Sequence, residues 1–221
     1  TPPRWSQLMA SWKKVLYIGL PTAGTRMIVP LTTGIITGML ARYGTAPVAG
    51  YGVSSRIEFF SMGVLRALSV VLGPFVGQNL GAGEPRRAVR SAWRALFLTC
   101  LPVGAVTVVL VSFPDLAIEV FSRDAEVVSA GLTYVLLVGM TQLFMAAEVV
   151  MLGAFAGTQW TAWPATIVVG LTALRRPLSI VLVARGWGVE AVWFAIASAT
   201  IVKGTILAAL FGIRYGRGAT G

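Results

Sequence analysis

The chain contains no histidine and a single cysteine, Cys100, among its 221 residues. Those absences remove histidine-bearing zinc sites, intrachain disulfides and every catalytic arrangement that needs an imidazole base. No HExxH run is present and no serine stands in a GxSG-like setting, so intramembrane proteolysis has no residues to work with. Charge is scarce too. Only 12% of the residues are charged, eight of them acidic against eighteen basic, where a soluble domain carries about 25%. Cys100 lies in an apolar run and reads as a small hydrophobe. No enzymatic activity, metal or organic cofactor is expected.

What remains is hydrocarbon: 56% of the residues are hydrophobic and the mean hydropathy is +0.79. Several runs exceed the roughly 18 apolar residues that mark a spanning helix. The expected fold class is therefore all-α, a polytopic membrane protein in a lipid bilayer. Six spans are expected, at about 15–40, 48–76, 92–111, 127–156, 162–184 and 189–213. Residues 1–14, with Trp5, Trp12, Lys13 and Lys14, read as an interfacial lead-in, and 214–221 as a tail. An acidic amphipathic stretch from Phe113 to Val127 fits a short interfacial helix between the third and fourth spans.

The net charge of +10 does not point to nucleic acid, because the basic residues sit at span ends or singly within apolar runs. They set orientation instead. Arg4, Lys13, Lys14, Arg86, Arg87, Arg90, Arg94, Arg214 and Arg217 make nine on one side, against Arg42, Arg123 and Arg185, three, on the other. That bias places both termini of the chain in the cytoplasm.

The chain turns on the stretch from Gly73 to Arg90, GPFVGQNLGAGEPRRAVR. Gly77, Gly81 and Gly83 offer the positive-φ freedom that a helix end and a sharp reversal require. Gln78 and Asn79 lie between them, and Pro85 suits the first turn of a new helix. Arg86 and Arg87 follow, and Arg86, Arg90 and Arg94 fall at i, i+4 and i+8 on one face. Within the first span, Pro21 and Pro30 are expected to bend the axis, as a hinge or a packing kink.

Charges inside a bilayer cost a few kcal/mol at least, so each is a functional candidate. Here they are Arg26, Arg56, Glu58, Arg66, Glu148, Arg175, Arg176 and Lys203. Arg56 and Glu58 are two apart on a helix and point to different faces, so each calls for a partner from another helix. Glu58, Glu148 and Arg56 are the transport or ion-coupling candidates, with Arg175 as an alternative ion-pair partner of Glu148. Arg26, Arg66, Arg175, Arg176 and Lys203 are cavity or helix-pairing charges. Six basic residues against two acids favour an anionic or zwitterionic substrate if several of them line a cavity.

YGVSSRIEFF (Tyr51 to Phe60), PFVGQNLGAGEPRRA (Pro74 to Ala88) and the GLP at Gly19 to Pro21 resemble the C-terminal six-helix lobe of multidrug and toxin extrusion (MATE) transporters. The resemblance implies one lobe of a two-lobe, twelve-helix protein of a bacterial inner membrane. Such a protein exports amphipathic small molecules or drugs in exchange for Na⁺ or H⁺ by alternating access. The partner it implies is an N-terminal six-helix lobe, from the same polypeptide or a second copy. A lipid or lipid-linked oligosaccharide flippase of the same superfamily and a half-size homodimeric transporter are the alternatives.

Overall fold

The computed structural model describes residues 30–158 and 160–216, with Trp5, Met9, Trp12 and Met27 as isolated positions. Among the described residues there are ten α-helices. They are α1 (30–40), α2 (Thr45–Ser61), α3 (Gly63–Gly81), α4 (Pro85–Ser112), α5 (Pro114–Glu119), α6 (Ala125–Met140), α7 (Gln142–Ala156), α8 (Ala162–Ala173), α9 (Arg175–Ala184) and α10 (Glu190–Phe211). Three units are long and apolar enough to cross a bilayer singly, Pro85–Ser112, Ala162–Ala184 and Glu190–Tyr215. The bent pairs α2–α3 and α6–α7 raise the number to five. Arg4, Lys13, Lys14, Pro21, Arg26 and Arg217 lie outside the described residues.

The kink expected at Pro21 lies outside the described residues, as do the two residues before Pro30, and the breaks that are described fall elsewhere. Pro30 is simply the first described residue of α1, and Pro74 and Pro102 sit within continuous helices. The 55° bend between α6 and α7 lies at Thr141, whose hydroxyl donates to the Val138 carbonyl at 2.8 Å and competes with the helical ladder. The α2–α3 break falls at Met62, between Ser61 and Gly63, where the Ser61 hydroxyl donates back to the Ile57 carbonyl. The α8–α9 break is a proline effect. Pro177 has no N–H to offer the Ala173 carbonyl, and α8 ends there.

The α3–α4 hairpin differs in detail from its sequence reading. Gly83 alone takes positive φ, at 75°, while Gly77 is mid-helix and Gly81 is the last residue of α3. The reversal is tied by Asn79, whose side-chain amide donates to Phe75 and whose carbonyl accepts from the Glu84 N–H. Pro85 opens α4, and Gln78, Arg86, Arg87, Arg90 and Arg94 are exposed.

Gly77 belongs to a seam between helices. Ser69, Gly73 and Gly77 of α3, four residues apart, face Gly153 and Gly157 at the end of α7. The Ser69 hydroxyl donates across to the Val149 carbonyl at 2.7 Å. A Cβ on Gly77 would stand 3.1 Å from the Gly157 carbonyl, and one on Gly157 would collide with the Gly73 carbonyl. Two more seams repeat the device, Gly50 of α2 against Gly131 of α6, and Gly204 of α10 against the backbone at Phe144 of α7. In hydrocarbon, close backbone approach through small residues replaces the hydrophobic effect as the source of helix association. So α7 becomes the hub, packed on α3, α4 and α10.

Candidate functional site

Helix α10 lies against α6, α7 and α9, and one ionisable side chain near its middle is buried against them. Lys203 is that side chain. Its ammonium donates to Glu148 Oε1 of α7 at 2.7 Å, the one salt bridge among the described residues, and both side chains are buried. The acid's partner is thus Lys203, not Arg175. Close approach at Gly204 brings α10 near enough to α7 for the two chains to meet.

A second polar contact lies between α2 and α6. The Tyr134 hydroxyl donates to Glu58 Oε2 at 2.7 Å. Tyr134 is buried and stacks edge-on against Tyr51 and Trp193, at ring-centroid distances of 5.4 and 4.9 Å, which fixes its hydroxyl. A small cavity of about 10 Å³ adjoins this pair, lined by Ser54, Glu58, Tyr134 and Gln142 among others. Gln142 is 1% exposed, and its side-chain oxygen has no hydrogen-bond partner among the described residues. A space of that size holds about one water-sized particle. Replacing Tyr134 by phenylalanine leaves the Glu58 carboxylate without its short donor, and should lower stability by about 1.5–3 kcal/mol. Thermal melts of the purified protein, in a double-mutant cycle with Glu58→Gln, measure it.

Arg175 stands at the α8–α9 break and donates from Nη2 to Thr200 Oγ1 of α10 at 3.2 Å. Thr200 in turn donates to the Ile196 carbonyl at 2.9 Å. Thr200 lies three residues before Lys203 on α10, so Arg175 and the Glu148–Lys203 pair meet on one helix. Arg66 lies 5.1 Å from the Phe59 ring centre, an exposed cation–π contact. Arg56 and Arg176 are exposed. Tyr51, Tyr134, Gln142 and Thr200 were not singled out from the sequence. Their one signal was polarity within apolar runs, which the structure turns into contacts.

The MatE family model matches residues 21–181. The chain belongs to the MatE family. A Shewanella oneidensis protein named "FAD transporter" is 34% identical over 121 residues, which are 55% of this chain and 27% of that protein. A Thermotoga maritima protein named "Probable multidrug resistance protein NorM" is 26% identical over 210 residues, 93% of this chain and 44% of the relative. Among solved structures, a Vibrio cholerae MATE transporter superposes with a TM-score of 0.79 at 21% identity, over 96% of this chain and 49% of that one. A MOP superfamily transporter from Pyrococcus furiosus, described as having a binding pocket of reverse polarity, gives 0.76 at 16% identity and covers 92% and 45%. The chain therefore spans about half, or less, of the proteins it matches, and has the fold of one lobe of a helical membrane transporter. Within this MatE lobe, the charged interior of α2, α6, α7, α9 and α10 is the candidate site.

Proposed function

We propose that the chain forms the C-terminal lobe of a multi-pass secondary exporter of the bacterial inner membrane, with both ends of the lobe on the cytoplasmic side. A second six-helix lobe, from the same polypeptide or another copy, completes its cavity. Amphipathic small molecules leave in exchange for Na⁺ or H⁺ as the two lobes rock about the cavity. The relatives named for multidrug resistance and for FAD transport support the export of small molecules.

Glu58 carries the coupling step in this reading. The supporting observation is the small cavity lined by both Glu58 and Gln142, whose side-chain oxygen is buried without a partner among the described residues. A carboxyl and an amide beside a water-sized space are the residue types that suit a small monovalent cation or a proton. The nearest partner of Glu58 is a neutral hydroxyl, so protonation leaves no charge stranded beside it. Glu148 is less suited, because protonating it would strand the Lys203 ammonium in the interior.

The test is gradient-driven transport by the whole protein in proteoliposomes. Glu58→Gln should fold, since the amide oxygen still accepts from Tyr134, but should abolish the dependence of efflux on an imposed Na⁺ or proton gradient. Gradient-driven efflux at the wild-type rate in that variant would rule Glu58 out as the coupling group.

A further inference from the structure

Away from the Glu58 and Glu148 contacts, a cavity of about 330 Å³ opens between α1, the α8–α9 break and α10. Its size lies near the lower end of the roughly 300–1,000 Å³ typical of small-molecule sites. One wall is apolar, formed by Leu31, Ile35 and Met39 of α1 with Val169 of α8. At the other end stand Arg175 and Arg176, and no carboxylate lines the cavity among the described residues.

The two guanidiniums are poorly supplied with partners. Arg175 donates to Thr200, and its Nε is buried without a partner among the described residues. The only salt bridge among the described residues is elsewhere, at Lys203. Arg176 is exposed, yet it lies near the middle of the apolar unit Ala162–Ala184, eight residues before its end. Eight residues of helix are roughly 12 Å of rise. A guanidinium at that depth does not face lipid, because intramembrane charges turn to a protein interior or an aqueous cavity.

We propose that this cavity binds an amphipathic organic anion. The acidic group sits on the Arg175 and Arg176 guanidiniums, whose planar forks suit carboxylate, sulfonate or phosphate oxygens. The apolar body lies against Leu31, Ile35, Met39 and Val169. This names the class of cargo for the exporter reading, and rests on that reading only for the passage from binding to transport.

A matched pair of probes tests it, naphthalene-2-sulfonate and 2-naphthylmethylammonium, which share an apolar body and differ in charge. Equilibrium dialysis against the purified whole protein should show the sulfonate bound at least about tenfold more tightly, the difference one charge-assisted contact supplies. Arg176→Gln should remove that preference, and Arg176→Lys should restore part of it. Leu31→Trp, at an exposed position of the apolar wall, should fill the cavity and weaken the sulfonate without touching a charge. Equal binding of the two probes to the wild type, a preference that survives Arg176→Gln, or a sulfonate affinity unchanged by Leu31→Trp overturns the inference. Selective sulfonate binding without uptake into proteoliposomes under any gradient would leave the site standing and defeat the exporter reading instead.

Discussion

Glu148→Gln should destabilise the lobe severely, by about 3–5 kcal/mol, the usual cost of breaking a buried ion pair from one side. The loss does not come from the missing attraction alone. Lys203 would keep its ammonium buried in the middle of α10, and the glutamine that replaces its carboxylate partner cannot neutralise it. Arg175, which bonds to Thr200 on the same helix, is itself a cation and offers no substitute. The complementary expectation separates this from a general intolerance of substitution. Glu148→Leu combined with Lys203→Met removes both charges and replaces them with groups of similar length, so the double variant should recover most of the lost stability. Thermal unfolding in detergent, followed by size-exclusion chromatography, reads both. A single variant that melts with the wild type would show that the pair does not hold α7 to α10.

The second large effect is steric. Gly157→Val should prevent the lobe from assembling, with a loss above about 4 kcal/mol. Any side chain there meets the Gly73 carbonyl, and its Cβ would stand 2.8 Å from the Gly77 nitrogen and 2.9 Å from the Val76 side chain. Backbone atoms cannot rotate away, so α3 and α7 would have to separate. That separation would also break the Ser69 bond to Val149 and open the cluster of Leu72, Val76, Met151 and Phe155 beside it. Gly104→Ala is the control. That position in α4 has open space where a Cβ would go, and alanine removes the helix penalty of glycine, so its yield and melting temperature should equal or exceed the wild type. Equal yields of monodisperse Gly157→Val and wild-type protein would contradict the close seam.

Much of this protein is written in its hydropathy. Long apolar runs broken by short polar turns leave helices as the only way to satisfy the backbone in a bilayer, and the membrane class followed without any coordinates. The hairpin was legible for a similar local reason. Glycine, proline and a burst of arginine act within a few residues of one another, and Gly83 and Pro85 behave as those residue types require. The rarity of intramembrane charge likewise marked Glu58, Glu148, Arg175 and Lys203 as positions to examine.

Partnership was decided elsewhere. Glu148 and Lys203 are 55 residues apart, and Glu58 and Tyr134 are 76 apart, so no local pattern relates them. Each pair meets because glycines let two backbones approach, and hydropathy does not distinguish a glycine that turns from one that packs. Gly77 shows this: it has the sequence setting of a turn residue but serves as contact surface against Gly157. The bends at Met62 and Thr141 escaped for the same reason, since a hydroxyl bonding back to its own helix leaves no mark as plain as proline's. Sequence determined the solvent, the class of element and the residues that could not be bland. Only the packing of α7 against α3 and α10 decided which charges meet, because in a bilayer that choice rests on the shape of facing helices rather than on how apolar they are.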